Sequence, residues 1–317
     1  MKNRLQFFPP TMFAIVMGLS GLSIAASKFH QLDWLPQGFY LVMTYITSLV
    51  FITIAGLYFM KTLLYFQEVK KDFKHKIKIN FFSAITISFL LLAVVYKDLN
   101  ENISVSLWWI GVISHSILML HTIAFWIRNN FEIQFMNPAW FIPVVGNIIV
   151  PVAGVDYMPV SFSYMYFSIG FFFWIILFAI FLNRAIFHQQ LPQRFIPTLF
   201  ILIAPPAVGF LSYLRINGGE FDLFAEFMLN IAYFFLALIF FLGKSFKNLQ
   251  FYISWWAFTF PLTAITIASA VAYQHTQLFI YQLLAYILAG VAINVILFVS
   301  AKTINYIRKG LICLEEE

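Results

Sequence analysis

The sequence predicts an all-α integral membrane protein with ten transmembrane helices, and three observations support that fold class. The chain is 62% hydrophobic and 10% charged, with a mean hydropathy of +0.87, which lies far outside the range of soluble domains. It contains roughly ten apolar runs, each close to the ~20 residues that an α-helix needs to cross a bilayer. Its basic residues divide 16 to 3 between the two sets of loops. Residues 1–317 are therefore expected to form a single transmembrane domain.

The predicted spans cover most of the chain and are separated by short polar loops. In order they are 9–26, 38–60, 80–96, 105–127, 138–155, 160–182, 195–214, 223–242, 254–273 and 278–300. They pair into five helical hairpins, approximately 1–66, 67–128, 129–184, 185–246 and 247–310. The first span imitates a secretory signal, but we expect it to be retained because its double proline fits a pattern that recurs in later spans.

One side of the membrane is predicted to carry nearly all of the positive charge. Of the 19 Lys and Arg residues, only Lys28, Lys97 and Arg215 fall on the other side. Because cytoplasmic loops are enriched in Lys and Arg, both termini are predicted to be cytoplasmic, in a multi-pass protein of the cell (inner or plasma) membrane. That orientation requires an even number of spans, which ten satisfies. The net charge of +6 then reflects orientation and indicates no nucleic-acid partner.

Alternate spans begin in a similar way. Each odd-numbered span opens with an aromatic cluster that is followed by small or hydroxylated residues. The openings are at Phe8, Phe82, Phe141, Phe195 and Trp255, which are 74, 59, 54 and 60 residues apart. This spacing is about one helical hairpin, so the sequence predicts one hairpin repeated five times.

The prolines divide the spans in the same way. Nine of the 12 prolines open or interrupt odd-numbered spans, and none falls in an even-numbered one. An interior proline leaves backbone groups that hydrocarbon cannot satisfy, so such helices need protein or water as neighbours. We therefore predict five kinked inner helices that line a central pore, with five outer helices around them. The predicted kinks are at Pro143, Pro151, Pro197, Pro205, Pro206 and Pro261. The alternative is that the prolines only fit bent helices into a dry bundle.

The polar residues of the inner spans suit weakly held anions. All 13 Asp and Glu residues lie in loops, in tails or near span ends, whereas cation-coupled carriers normally keep a charge at mid-membrane. Small, hydroxyl and amide side chains attract anions modestly and release them. The candidate pore-lining residues are Gly18, Gly21, Ser83, Thr86, Gly146, Asn147, Gly209, Thr259, Thr263 and Thr266. The alternative for each hydroxyl is a hydrogen bond to a carbonyl of its own helix.

Catalytic and metal-binding patterns are not found in the sequence. His115 and His121 lie in one span but about 240° apart around the helix, so they cannot bind one metal ion together. The only cysteine, Cys313, lies in the C-terminal tail, which excludes an intrachain disulfide. We expect no enzyme activity, no cofactor and no metal, with a membrane enzyme or haem protein as the alternative that an optical spectrum would test.

Four segments carry a resemblance to a known family. They are "NPAWFIPVVGNIIVPVAG", "RFIPTLFILIAPPAVGFLSYL" and "SWWAFTFPLTAITIASAV", with "YFQEVKKDFKHKIKINFF" before them. They resemble the tellurite-resistance/dicarboxylate transporter family, which includes bacterial TehA, fungal malate and sulfite transporters and the plant slow-type anion channels. The resemblance extends over essentially the whole chain, with the segments in matching order.

That resemblance implies a homotrimer in which each subunit has its own pore, with five inner helices in a quasi-fivefold arrangement. It also implies passive, gated transport of small anions such as chloride and nitrate. The family's gating phenylalanine corresponds to Phe260 in "FTFP", and a wall glycine corresponds to Gly18. Ala14 departs from the glycine that relatives often carry there. Two alternatives stay open: a carrier for C4-dicarboxylates, tellurite or sulfite, and a Phe260 that is merely packed beside Pro261.

Overall fold

The computed structural model describes residues 4–314, and nine of its helices are long and apolar enough to cross a membrane. They are α1 (Pro10–Gln31), α2 (Gln37–Leu64), α3 (Ile79–Tyr96), α4 (Glu101–Arg128), α6 (Val160–Phe187), α7 (Gln193–Ile216), α8 (Leu223–Phe246), α9 (Ile253–Thr276) and α10 (Phe279–Arg308). The remaining predicted span, the fifth (138–155), corresponds to the shorter α5 (Pro138–Gly154). A surface helix, Phe66–Lys74, follows α2. The described part of the chain contains no β-strand, so the predicted all-α membrane class is confirmed.

Helix α5 is broken into short pieces. It passes from a 3₁₀ turn to the α-helix Phe141–Val145, then through the 3₁₀ turn Gly146–Ile149 to the α-helix Val150–Gly154. Pro143 and Pro151 supply no backbone N–H, so a regular α-helical ladder cannot continue through them. A chain of this length extends about 25–30 Å, close to the thickness of the hydrocarbon core.

The predicted span boundaries are accurate at some ends and short at others. The predicted 80–96 corresponds to Ile79–Tyr96, whereas the predicted 278–300 corresponds to Phe279–Arg308. Helices continue into polar sequence because the backbone ladder does not need an apolar neighbour outside the hydrocarbon. Hydropathy therefore finds the membrane-embedded part of a helix and misses its polar end.

The helices form two layers that differ in burial. In each of α1, α3, α7 and α9, between 67% and 78% of an apolar 18-residue stretch of the helix is buried inside the protein. In α2, α4, α6, α8 and α10 the buried share is only 22% to 33%. These even-numbered helices expose large apolar side chains such as Leu49, Ile117 and Phe234. The odd-numbered helices are therefore the inner layer, with the even-numbered helices packed around them.

The inner helices contact one another in a closed order. Helix α1 packs against α3 and α9, α3 against α5, α5 against α7, and α7 against α9. Each inner helix also packs against the next helix of the chain, so that α1–α2, α3–α4, α5–α6, α7–α8 and α9–α10 are hairpins. The central space is consequently enclosed by α1, α3, α5, α7 and α9.

Helix type changes near the inner-layer prolines. The residues Gln193–Leu202, which include Pro197, are 3₁₀, and the α-helix Ala204–Ile216 begins just before Pro205 and Pro206. Similarly, Ile253–Phe258 is 3₁₀, and the α-helix Thr259–Thr276 contains Pro261 in its first turn. Proline favours these positions because its missing N–H is one that a helix start leaves unpaired.

The two described chain ends lie together. Leu5 and Phe8 belong to the same apolar cluster as Ile312 and Cys313, and the Arg4 guanidinium lies against Gly310. Both ends are thus on one side of the helix assembly. Lys2 and residues 315–317, which the sequence analysis assigns to the same side, lie outside the described residues.

Candidate functional site

Three consecutive cavities lie in the space that the inner helices enclose. We call them the amino-end vestibule, of about 380 Å³, the central cavity, of about 90 Å³, and the carboxyl-end vestibule, of about 730 Å³. The first two share wall residues Thr11, Phe81, Ile253 and Ser254. The last two share Ile149, Val208 and Phe260. The series is therefore wide at both ends and narrow in the middle.

The central cavity has an apolar wall to which all five inner helices contribute. Examples are Met17 of α1, Ile87 of α3, Val145 of α5, Ala204 of α7 and Phe260 of α9. Among the described residues that line it, none is ionisable. A small ion in this cavity would meet no fixed charge of either sign.

The few hydroxyl groups of the central cavity are at its amino end. Two of them donate to backbone carbonyls at the start of α7. Thr198 Oγ1 donates to Phe195 O at 2.6 Å, and Ser254 Oγ donates to Arg194 O at 2.6 Å. These hydroxyls provide hydrogen-bond donors for carbonyl groups of the 3₁₀ stretch Gln193–Leu202.

The central cavity and the carboxyl-end vestibule meet at an apolar neck. It consists of Ile149 from α5, Val208 from α7 and Phe260 from α9, all of them buried, with Phe260 9% exposed. The Phe260 ring lies beside Gly21, where an added Cβ would come within 3.3 Å of Phe260 Cδ2. The largest side chain of the neck is therefore the one that the sequence analysis singled out.

Ile149 and Val208 are neck residues that the sequence did not predict. Ile149 is two residues before Pro151, and Val208 is two residues after Pro206. Proximity to an inner-helix proline was thus an available signal, but an apolar residue in an apolar helix gives no indication of which way it faces.

Of the ten predicted wall residues, only Gly146 lines one of the three cavities. Gly18 and Gly21 lie instead at the contact between α1 and α9. An added Cβ on Gly18 would be 2.0 Å from Thr259 Oγ1, and one on Gly21 would be 2.0 Å from Thr263 Oγ1. The two glycines permit the close approach of these helices.

The three predicted threonines of α9 bond to their own helix. Thr259 Oγ1 donates to Trp256 O at 2.7 Å, Thr263 Oγ1 to Phe260 O at 2.9 Å and Thr266 Oγ1 to Leu262 O at 2.7 Å. All three side chains are buried. In this structure the three hydroxyls therefore bond within their own helix, as the alternative interpretation of them describes.

The remaining predicted wall residues face the outer layer or lie between helices. Thr86 Oγ1 is 2.8 Å from His115 Nδ1 on α4, and Asn147 Nδ2 is 3.0 Å from Met119 Sδ on the same helix. An added Cβ on Gly209 would meet Met228 of α8. Ser83 is buried on α3. No group of three metal-ligating side chains occurs among residues 4–314.

The two vestibules differ in electrostatics because the inner helices run parallel. The first residues of α1, α3, α7 and α9 lie at the amino-end vestibule, and the C-terminal ends of all five inner helices lie at the carboxyl-end vestibule. Helix N-termini carry partial positive charge and C-termini partial negative charge. The amino-end wall adds Arg194 and Lys78, of which Lys78 pairs with Asp72 at 3.1 Å.

An ion-pair network lies at the carboxyl-end vestibule. Asp156 pairs with Lys97 at 2.7 Å and with Arg215 at 2.6 Å. Partial burial acts to raise the pKa of Asp156, but the hydrogen bonds and charges of Lys97 and Arg215 outweigh it and hold that pKa below its ordinary value. The carboxylate therefore stays ionised at neutral pH.

Relatives of this chain include channels and transporters. It is 25% identical to the S-type anion channel SLAH2 of Arabidopsis thaliana over 94% of its own length, and it spans 59% of that protein. It is 28% identical to the tellurite resistance protein TehA homolog of Haemophilus influenzae, with 95% of this chain and 92% of that protein covered. It is 25% identical to the uncharacterized transporter MJ0762 of Methanocaldococcus jannaschii, with 98% of both covered.

The sequence profile of one family matches nearly the whole chain, residues 7–304. That match includes every inner helix and every residue of the neck. Together with the relatives and the multi-pass helical fold, it shows that the chain belongs to the voltage-dependent anion channel family.

Proposed function

We propose that this protein is a gated channel that conducts small inorganic anions, such as chloride and nitrate, passively through the three cavities. The observation that carries the proposal is the neck at Phe260. This apolar constriction separates two cavities whose walls come from all five inner helices. A blocked but otherwise continuous series of cavities is what a closed channel needs.

The electrostatics favour anions that are held weakly. The parallel inner helices direct their positive ends toward the amino-end vestibule, which attracts anions to that mouth. The central cavity offers no fixed cation that would retain them. Conduction requires binding that is strong enough to admit an ion and weak enough to release it.

The proposed gate is the Phe260 side chain, whose rotation would open the neck. Gly146 gives the opposite wall of the central cavity a small residue. Gly18 and Gly21 hold α9 close to α1 and thereby set the position of the gate-bearing helix. In this proposal Thr259, Thr263 and Thr266 stabilise the backbone around the gate rather than contact the ion.

The proposed architecture is ten crossings, made of five hairpins in a quasi-fivefold arrangement. It is supported by the closed order of inner-helix contacts and by the two chain ends on one side, which require an even number of crossings. The basic residues support a cytoplasmic amino-end vestibule in the cell membrane. A homotrimer with one pore per subunit rests on the family resemblance, and the mass of the purified protein in detergent tests it.

Recording from bilayers or oocytes with Phe260→Ala tests gate and conduction together. Removing the ring should raise the anion current at least ~10-fold, because an apolar plug that excludes a hydrated ion is lost. The matched control is Phe258→Ala, since Phe258 is half-buried on the same helix and lies outside the three cavity walls. An equal anion current in wild type and Phe260→Ala would refute the gate, and no anion current in either would refute conduction.

A carrier for C4-dicarboxylates, tellurite or sulfite is the second candidate. The name of the Haemophilus relative, a tellurite resistance protein homolog, favours it. A carrier would show saturable, substrate-specific uptake, whereas the proposed channel would show current proportional to voltage for several small anions.

A further inference from the structure

The three basic residues that the sequence assigns to the less basic side converge in one cavity. Lys28 near the end of α1, Lys97 just after α3 and Arg215 near the end of α7 all line the carboxyl-end vestibule. They come from three separate hairpins, so only the fold brings them together. A side of the membrane that is nearly devoid of basic residues thus concentrates the few it has at the mouth of the cavity series.

The three cations have different partners. Lys97 and Arg215 share the Asp156 carboxylate at 2.7 Å and 2.6 Å. Lys28 Nζ donates to two neutral amide oxygens, Gln31 Oε1 at 3.3 Å and Gln274 Oε1. Lys28 is therefore the vestibule cation whose hydrogen bonds are to uncharged groups, which an anion can replace without breaking an ion pair.

The side chains of the carboxyl-end vestibule carry a small net positive charge, whereas the helix C-termini around it are unfavourable to anions. Besides the three cations it is lined by Asp98, Asp156 and His275, so with His275 neutral its net charge is +1. Asp98 accepts hydrogen bonds from Gln31 Nε2 at 2.8 Å and Ser27 Oγ at 3.4 Å. The inner helices end here, and their C-terminal carbonyl groups repel anions. Fixed cations are needed to offset that repulsion.

We propose that the carboxyl-end vestibule is a capture site for small monovalent inorganic anions, centred on Lys28, and that Asp156 limits the strength of capture by holding Lys97 and Arg215. The inference rests on the proposed anion conduction. It assigns the specificity for anions at the carboxyl-end mouth to Lys28, Lys97, Arg215 and Asp156. The lowered pKa of Asp156 is consistent with a carboxylate that stays charged between the two cations.

The flux test uses the Phe260→Ala background, in which the neck does not limit the current, with the anion supplied at the carboxyl end. In ~10 mM salt, Lys28→Gln should lower the anion influx about 3-fold, and Lys28→Arg should restore it. Asp156→Asn should raise the influx about 3-fold. Both differences should vanish in 1 M salt, where the Debye length is ~3 Å.

Glu226→Gln is the matched control for Asp156→Asn. It removes one negative charge from an exposed position on the first turn of α8, a region that does not line the vestibule. It should leave the influx unchanged. Anion current that is insensitive to both Lys28→Gln and Asp156→Asn at low salt would overturn the capture site while leaving the channel intact.

A binding test that needs no transport separates the two proposals. At constant ionic strength, replacing gluconate with bromide should raise the melting temperature of the purified wild type and not that of Lys28→Gln. If Phe260→Ala carries no anion current but bromide stabilises through Lys28, the capture site stands and conduction fails. If bromide changes the melting temperatures of the wild type and of Lys28→Gln equally, the capture site is refuted.

Discussion

The inner and outer helices are similarly apolar, yet they differ in burial and in proline content. In the inner helices α1, α3, α7 and α9, 67% to 78% of the apolar 18-residue stretch is buried, and the helix type changes near proline in α7 and α9. In the outer helices only 22% to 33% of that stretch is buried. An outer helix needs only an apolar surface toward lipid. An inner helix must match the shape of two neighbours and leave space along one face. The difference shows that the cavity series depends on shape rather than on hydropathy.

The largest expected effect comes from adding volume to an inner glycine. Gly21→Val would force side-chain atoms into Thr263, so α1 and α9 would have to separate. We expect a loss of about 3 kcal/mol or more of stability and little monodisperse protein. Size-exclusion chromatography and thermal unfolding in detergent measure both.

Gly56→Val on α2 is the matched substitution in the outer layer. Nothing lies within 4 Å of an added Cβ at Gly56. This variant should purify and unfold as the wild type does. Equal behaviour of Gly21→Val and Gly56→Val would show that the close contact of the inner helices is not what holds them together.

The next largest effect concerns two cations at equivalent places in the outer layer. Lys61 and Arg184 are each the fourth residue from the end of a 28-residue helix, α2 and α6. Each donates to the segment that leads into the inner helix of its own hairpin: Lys61 to Phe8 O at 2.9 Å, and Arg184 to Gln134 O at 3.4 Å. Lys61 also pairs with Asp72 at 2.6 Å, whereas Arg184 Nε and Nη1 have no hydrogen-bond partner among the described residues.

Replacing each cation with methionine should separate the two sites. Lys61→Met removes a hydrogen bond and an ion pair from a buried site and should cost about 2 kcal/mol. Arg184→Met removes a buried charge that has one long hydrogen bond within the described part of the chain, so the melting temperature should stay unchanged or rise. Thermal unfolding of both variants measures this. A larger loss of stability from Arg184→Met than from Lys61→Met would mean that the Arg184 guanidinium has a strong partner in the native protein.

The smallest expected effect involves a residue outside both layers. Cys313 follows the last outer helix but lines the amino-end vestibule, and burial raises the pKa of its thiol to about 11. The thiol should therefore react with maleimide roughly 100-fold more slowly at neutral pH than an exposed cysteine. The rate should rise about tenfold per pH unit until the pH approaches 11.

Mass spectrometry follows this reaction without ambiguity because the chain has one cysteine. Fast labelling at pH 7 would show that the segment after α10 does not pack into the vestibule. A bulky label that has reacted should reduce the anion current in the Phe260→Ala background, and an unlabelled Cys313→Ser variant should be insensitive to the reagent.

Much of the fold was predictable from the sequence, and little of the site was. Each predicted span overlaps a helix of the structure, because crossing hydrocarbon demands a long apolar run. Proline identified four of the five inner helices, since its effect on the backbone is local, whereas α3 contains none and was assigned by its place in the alternation. Gly18 and Thr259 were predicted to face a pore and instead face each other. Composition does not indicate which face of a helix packs against its neighbours.

What the sequence by itself determined is that the chain folds in a membrane, roughly how many apolar runs it has and which helices cannot face lipid. These follow from the free-energy cost of unpaired polar groups in hydrocarbon. That cost applies to each residue regardless of which helices pack beside it. Only the tertiary structure decided that Ile149, Val208 and Phe260 form one neck, and that Lys28, Lys97 and Arg215 meet at one mouth. Those groupings join helices that are far apart in the chain, and they depend on how side chains of particular shapes pack in three dimensions.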